Sequence, residues 1–301
     1  MIEFKSIDLD KKDDYNRYLL SCEERGCEYN LANLYLWGRQ HAAFFPNGVA
    51  FFSHFSQKNV YLFPAYSGNP KQILDAVIQD ARERDILCSL TSLSKDDCDL
   101  LEALYPGQFA FHVDRDSFDY VYGINDLADL KGRKYQKKRN HMNKFRLTHP
   151  GYVVEPITDD NTLEIIDMLD AWYENYQMVN PDVDISIEQV AIKKAMRSRE
   201  KLDMEGIIIR YEGKIIAMTM GSMISQHTFD WQFEKAVDES AYVAVNNLFA
   251  NHLREKYPDL LWLNREDDMG LEGLRKAKLS YNPDHMIEKW WARLLEVGYD
   301  Y

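Results

Sequence analysis

Cysteine is scarce, four in 301 residues, and Cys22, Cys27, Cys88 and Cys98 show neither C-x-x-C spacing nor a histidine pair beside them. That argues against a disulfide scaffold or a zinc module and makes a reducing compartment, the cytoplasm, the expectation. Long apolar runs are missing as well. Stretches such as Gly206-Ile207-Ile208-Ile209 and Ala42-Ala43-Phe44-Phe45 fall far short of the roughly 18 to 20 residues that span a bilayer. The first fourteen residues interleave acids and lysines and lack the apolar core of a secretory signal. Nine prolines and 14 glycines are too few for a collagen-like or low-complexity chain. No H-x-H, H-E-x-x-H, G-x-S-x-G or Walker spacing occurs, so nothing points to a metal site, a nucleophile elbow or a P-loop.

What is present is an apolar fraction of 46%, with 6 Trp, 19 Tyr and 14 Phe, enough to fill folded cores. The length favours two domains of about 150 residues each. The net charge of −13 argues against a general nucleic-acid coat. Its distribution is uneven. From Leu130 to Val154 there is no acid, whereas Lys131, Arg133, Lys134, Lys137, Lys138, Arg139, Lys144 and Arg146 are all basic. A local reversal of this kind in an acidic protein reads as a surface for phosphate, or as a solvated helix covering an acidic neighbour.

The hydrophobic pattern predicts helical residues over 11–37, a hairpin around Pro46-Asn47-Gly48 where Asn-Gly accepts positive φ, and a strand over 60–66. A helix over 70–84, a strand over 86–91, a helix over 95–104 and strand residues over 109–122 follow. The second half repeats that order. It has helices over 162–177 and 187–201, strands over 206–211 and 214–224, and an alternating strand over 227–234. A helix over 241–256, a strand over 260–264, a short helix over 272–279 and final strands over 286–295 complete it. Corresponding elements are offset by roughly 170 residues, an architectural repeat without evident residue identity. The expected division is a first domain over 1–125, a basic linker helix over 126–150 and a second domain over 151–301 carrying the site, with the cut near Pro150-Gly151.

This element order, mixed sheets of an α/β (α+β) kind, resembles two GNAT-like acyltransferase domains in tandem. Three segments sharpen the resemblance: Lys134-Tyr135-Gln136-Lys137-Lys138-Arg139-Asn140 with Lys144-Phe145, then Asn264-Arg265-Glu266-Asp267-Asp268-Met269-Gly270, then Gly273-Leu274-Arg275 through Lys278 to Pro283. Together they resemble the bacterial family named after the C-terminal domain of phosphatidylglycerol lysyltransferases, similar in fold to the Fem peptidoglycan aminoacyltransferases. The resemblance implies transfer of an aminoacyl group from aminoacyl-tRNA, with no further cofactor, to a lipid, peptide or small-molecule acceptor. The chain shows no membrane-spanning region ahead of this domain, which shifts the expected acceptor toward a soluble or peripheral one. An acyl-CoA-dependent N-acetyltransferase and a non-catalytic tRNA- or ligand-binding relative are the alternatives.

The stretch from Asn264 to Pro283 is the best site candidate, because it leaves a strand through three consecutive acids and opens a helix bearing Arg275 and Lys278. Glu266 and Asp268, with Asp230 on the preceding long strand, are the candidate catalytic groups. Asn264, Asp267, Gly270, Arg275 and Lys278 are candidate substrate ligands, Arg275 being suited to clamp a phosphate or carboxylate. An ion-pair network closing a turn is the competing reading of the stretch, and a solvated carboxylate that of Asp230. Lys134, Lys137, Lys138, Arg139 and Lys144 are the candidate phosphate or tRNA contacts. Acetyl-coenzyme A is disfavoured, since Lys235-Ala236-Val237-Asp238-Glu239-Ser240 has no glycine and two acids where a pyrophosphate loop would sit. Tyr281 and Trp231 read as core or wall, and Asn246, on the polar side of its helix, fits a site or solvent equally.

Overall fold

The computed structural model describes residues 1–21, 25–55, 58–181 and 183–295. Cys22 and the last six residues of the expected second domain lie outside them.

Strand β1 (Lys5–Ser6) and helices α1 (Lys12–Leu19) and α2 (Leu31–Leu36) lead into β2 (Gln40–Phe45), β3 (Gly48–Phe55) and β4 (Lys58–Tyr66). Next come α3 (Lys71–Glu83), β5 (Ser89–Leu93), α4 (Lys95–Leu104), β6 (Phe109–Val113) and β7 (Asp119–Gly123). Helices α5 (Ile124–Asp129) and α6 (Gln136–Thr148), strand β8 (Val153–Pro156) and helices α7 (Thr162–Val179) and α8 (Ser186–Ser198) follow. The chain ends with β9 (Glu205–Tyr211), β10 (Lys214–Met223), β11 (Thr228–Ala236), α9 (Glu239–Lys256), β12 (Trp262–Asn264), α10 (Glu272–Leu279), β13 (His285–Ile287) and β14 (Trp290–Leu294). Among the described residues no helix is long and apolar enough to cross a membrane.

Local chemistry accounts for several boundaries. Ser94 and Asp97 form a reciprocal capping box that starts α4. Glu212 and Gly213 both take positive φ, the two-residue turn whose twist suits the β9–β10 hairpin. The β2–β3 turn differs from expectation. Neither Asn47 nor Gly48 is among the positive-φ residues. Asn47 instead serves through its side-chain amide, which donates to the Ser67 and Asn69 carbonyls. Gly48 is required for closeness, because a Cβ there would come within 2.5 Å of the Ala65 carbonyl oxygen.

The chain divides into two compact units. The first comprises Met1–Asp119, Asp267–Glu272 and the residues from Met286 on; the second comprises Tyr120–Glu266 and Gly273–His285. The first has a seven-stranded sheet in the order β1-β2-β3-β4-β5-β14-β6, the second one in the order β13-β7-β12-β11-β10-β9-β8. Each repeats one arrangement. An antiparallel hairpin (β3–β4, β10–β11) is followed by a helix (α3, α9) and a strand parallel to the hairpin's second arm (β4–β5, β11–β12). In the first unit the apolar stripe of α3, Ile73, Leu74, Val77, Ile78 and Ala81, packs on Phe63, Leu90 and Leu93. In the second, Phe249 of α9 meets Phe229 and Trp231 edge-on.

This division differs from the expected one at both ends. The final strand β14 completes the first sheet, pairing antiparallel with both β5 and β6. Strand β7, expected to end the first domain, pairs with β12 in the second. The basic helix α6 is part of the second unit rather than a linker, since Met142 and Phe145 bury one face of it. A fragment cut at the expected boundary, 1–125, therefore lacks β14 and leaves β5 and β6 without their common neighbour. It is expected to show no cooperative thermal transition by circular dichroism, and appending residues 286–295 through a flexible linker is expected to restore one. A cooperative melt of 1–125 alone would contradict this.

Candidate active site

In the second unit the parallel pairing of β11 with β12 extends over three positions, Thr228–Trp262, Phe229–Leu263 and Asp230–Asn264. Beyond them β12 ends while β11 runs on to Ala236, so the strands part at their carboxyl ends, where α/β sheets gather ligands. Asn264, fully buried, turns the chain out of the strand by accepting the Glu266 amide at 2.7 Å, and Glu266 takes a positive φ of 58°. The Arg265 amide donates to the Tyr120 carbonyl of β7 at 2.9 Å, and the Tyr120 amide returns the bond to the Glu266 carbonyl. Lys278 of α10 closes the turn, its ammonium donating to the carbonyls of Arg265 and Glu266.

That frame holds the Arg265 side chain across the split. Its Nη2 donates to Oε2 of Glu234 on β11 at 2.9 Å, and the guanidinium lies 4.9, 5.2 and 5.8 Å from the ring centres of Tyr281, Trp231 and Tyr122. The other Glu234 oxygen accepts from Asn246 of α9 at 2.8 Å. Burial alone would lower the pKa of Arg265, but Glu234, with Tyr122 and Tyr281 beside it, holds it above the ordinary value. Burial raises the pKa of both tyrosines, so they remain neutral hydroxyls. Lys138, reaching in from α6, donates to Ser280 Oγ at 2.8 Å with its Nζ 3.5 Å from the Tyr281 ring centre. Burial first, and then Arg265, pull its pKa down to about 8 against the opposing carboxylates Glu239 and Glu234.

The expected site residues fall into three groups. Asn264, Glu266, Arg275, Lys278 and Asp230 belong to the second unit, with Arg275 half-buried on α10. Asp230 is fully buried instead of solvated, because the polar side of β11 is covered, with α9 reaching it through Asn246. Asn246, open between a site and solvent in the sequence, is likewise buried. Asp267, Asp268 and Gly270 belong to the first unit. There the acids shape a loop: Asp267 accepts the Met269 amide, and fully buried Asp268 accepts the Gly270 amide at 2.9 Å with Arg115 at 3.6 Å. Gly270 takes a φ of 71° against Asp116.

The third group is the basic run, and it is only partly a free surface. Lys134 pairs with Asp126 at 2.7 Å and Lys131 with Asp129 at 2.7 Å, acids lying just ahead of the acid-free stretch. Arg139 is tied to the Leu130 and Gly132 carbonyls and to Gln136. Arg133, Lys137, Lys144 and Arg146 are exposed and form no ion pair among the described residues. Sequence reasoning missed Arg265, Glu234 and Asn246 as partners. The available signal was the parallel-strand split itself, which directs attention to the residues just past the last paired position on each strand.

The first unit closes its equivalent split with its own chain. Strands β4 and β5 pair at Tyr61–Leu90 and Leu62–Thr91, and the Tyr29 hydroxyl lies 2.9 Å from the Phe63 carbonyl and 3.3 Å from that of Ser92, one on each strand. Arg25 covers Tyr29 at 4.9 Å and pairs with Asp97. Elsewhere in this unit Cys27, Glu28 and Asp119 stand within 4.8 Å of one another, a spacing that could suit a metal ion. The buried Lys289 ammonium is the cation there, 2.6 Å from Asp119 and 2.8 Å from Glu28.

Two GNAT-like units, one of which lines its strand split with charged side chains, define an acyltransferase-type fold. The model of the phosphatidylglycerol lysyltransferase C-terminal family matches residues 21–293, and the chain belongs to that family. It is similar to a conserved protein of unknown function from Bacteroides thetaiotaomicron, 35% identical, covering 98% of this chain and 100% of that one with a TM-score of 0.92. It shares its fold with L-PGS of Bacillus licheniformis at 14% identity and a TM-score of 0.68, over 96% of this chain and 93% of that one. An uncharacterised protein of Mycoplasmoides gallisepticum is 23% identical over 61% of this chain, which spans 58% of that relative's length.

Removing Lys289 would leave the Asp119 and Glu28 carboxylates buried without their cation. Lys289→Met is expected to cost about 3 to 5 kcal/mol, read as a lowered urea midpoint at unchanged slope. A loss within about 1 kcal/mol would show that the cluster is not a stabilising centre.

Proposed function

We propose that this protein transfers an aminoacyl group from aminoacyl-tRNA to an acceptor nucleophile at the strand split of the second unit. The observation that carries the reading is the Arg265–Glu234–Asn246 cluster at that split, set against the first unit's split, which Tyr29 fills. Membership of the lysyltransferase family supports the donor class.

The aminoacyl ester is already activated, so the protein's task is alignment, proton removal and charge stabilisation. The acceptor's lone pair attacks the ester carbonyl carbon, and the ester bond breaks as the tRNA ribose oxygen leaves with a proton. The acceptor's own proton passes to a base. Glu234, held by Arg265 and Asn246, suits the α-ammonium of the aminoacyl group, a role that passes to it from the acids of the Asn264–Gly270 stretch. The exposed cations of α6 suit the phosphates of the tRNA. Acetyl-coenzyme A is the weaker donor, because Asp238 caps α9 by accepting the Ser240 and Ala241 amides at 2.7 and 3.0 Å, the groups that would meet a pyrophosphate.

Glu234→Gln preserves shape and removes the charge. It is expected to lower kcat/KM for transfer from radiolabelled aminoacyl-tRNA by about tenfold or more, corresponding to about 1.4 kcal/mol. Undiminished transfer would remove Glu234 from the site, and turnover of acetyl-coenzyme A in place of the tRNA ester would overturn the donor. Neutralising Lys137, Lys144 and Arg146 together to Gln is expected to weaken tRNA binding across sequences. The slope of log affinity against log salt should flatten by up to about 2.7, treating duplex RNA like B-DNA at about 0.9 per phosphate. Parental affinity and slope in the triple variant would show that α6 is not the tRNA surface.

A further inference from the structure

The first unit holds a buried thiol against a buried amine. The Lys289 ammonium lies 3.5 Å from the Cys27 sulfur, 2.6 Å from Asp119 Oδ1 and 2.8 Å from Glu28 Oε1. Backbone placement brings these atoms together. The Cys27 amide donates to Asp119 Oδ2 at 2.7 Å, which anchors the cysteine beside the same carboxylate that binds Lys289. A Cβ at Gly26 would come within 2.6 Å of Lys289 Cε, so the glycine is what lets the lysine stem pass. Burial alone would lower the pKa of Lys289, but Asp119, Cys27, Glu28 and Asp267 hold it well above the ordinary value. A cation beside a thiol favours the thiolate, which is the reactive form. Elsewhere in the unit burial pushes the Cys88 thiol up to about 12 and the Cys98 thiol up to about 11, so both stay protonated. Glu28, half-buried, forms the solvent side of the cluster.

We propose that Cys27 and Lys289 are a covalent modification site, joined by a sulfur–nitrogen bond when a hydroperoxide oxidises the cysteine. The Cys27 thiolate attacks one oxygen of hydrogen peroxide, the O–O bond breaks, and the sulfur is oxidised by two electrons to a sulfenic acid. The departing hydroxide takes a proton from the Lys289 ammonium and leaves as water. The freed amine attacks the sulfenic sulfur, the S–O bond breaks, and a second water leaves with a proton from the nitrogen. Sulfenic acids condense with a neighbouring nitrogen in this way, and Lys289 already stands in contact. The neutral linked nitrogen no longer offsets both carboxylates, so Glu28, whose carboxyl burial already pushes up, takes up a proton. The link closes a loop between positions 262 apart in the sequence, and thiols reopen it. It belongs to the first unit and is independent of the transfer reading above.

The test uses the intact protein, treated with graded hydrogen peroxide, digested without reductant and followed by peptide mass spectrometry. The expected product joins the Cys27 peptide to the Lys289 peptide, is lighter than their sum by two hydrogens, and separates on addition of dithiothreitol. On a non-reducing denaturing gel the looped chain should run ahead of the untreated one. Dimedone, which captures sulfenic acids, should suppress the joined product and label Cys27 while leaving Cys88 and Cys98 unlabelled. Lys289→Arg keeps the charge but offers no amine, so dimedone labelling should persist and the joined product should vanish. Should that variant fail to fold, the digest of the unaltered protein decides alone. A Cys27 carried to sulfinic acid without a joined peptide, a disulfide from Cys27 to Cys22, or a Cys27 that stays reduced under peroxide would each overturn the proposal.

Discussion

The ion pair between Arg265 and Glu234 is the interaction around which the second unit's strand split is organised. Parallel strands that part after three paired positions leave backbone and side-chain polar groups facing a gap, and burial makes each unmet group costly. Arg265 spans that gap because everything behind it is held. Asn264 turns the chain, Tyr120 pairs its backbone and Lys278 binds the carbonyls that follow. Three aromatic rings lie within 6 Å of the guanidinium, and Glu234, itself held by Asn246, is its ion-pair partner. A charge held this firmly is preorganised, the property the proposed transfer would use to stabilise developing charge.

The two units show the same architectural problem solved differently. In the first, a tyrosine hydroxyl placed between the carbonyls of both strands meets the unpaired groups, and Arg25 with Asp97 seals the site. The result is a satisfied core element. In the second, charged side chains meet the gap and retain unmet hydrogen-bonding capacity, as at Arg265 Nη1 and Asn246 Oδ1. Repetition of the fold therefore does not repeat the side chains at the split, since the residues past the last paired position decide what lines it.

The basic run shows why linear charge is a poor guide to surface charge. Acids at Asp126 and Asp129 meet Lys134 and Lys131, backbone carbonyls hold Arg139, and an aromatic ring with a hydroxyl holds Lys138. Of the exposed cations, Lys137 and Lys144 lie on the side of α6 away from Met142 and Phe145, whereas Arg133 precedes the helix and Arg146 follows Met142 by one turn. The exposed positive stripe is narrower than the sequence count suggests.

Local chemistry, legible from the chain alone, determined most elements: period-two alternation in β11, the apolar stripe of α3 and the Glu212-Gly213 turn. The family resemblance, carried by Lys134–Phe145 and Asn264–Pro283, was legible for the same reason, because those segments are contiguous. Partnership across the chain was not. A strand's alternation says which face is buried but not which sheet accepts its edge, so β7 and β14 could be placed only by the hydrogen bonds they make. Nor could spacing show that Glu234, Asn246, Arg265 and Lys138 meet, since they come from four elements separated in sequence and joined by long-range packing. Tertiary structure also decided that Asp230 is buried and that Asp268 shapes a loop of the first unit. Ionisable groups take their roles from burial and neighbours, and those are properties of the fold rather than of the residue.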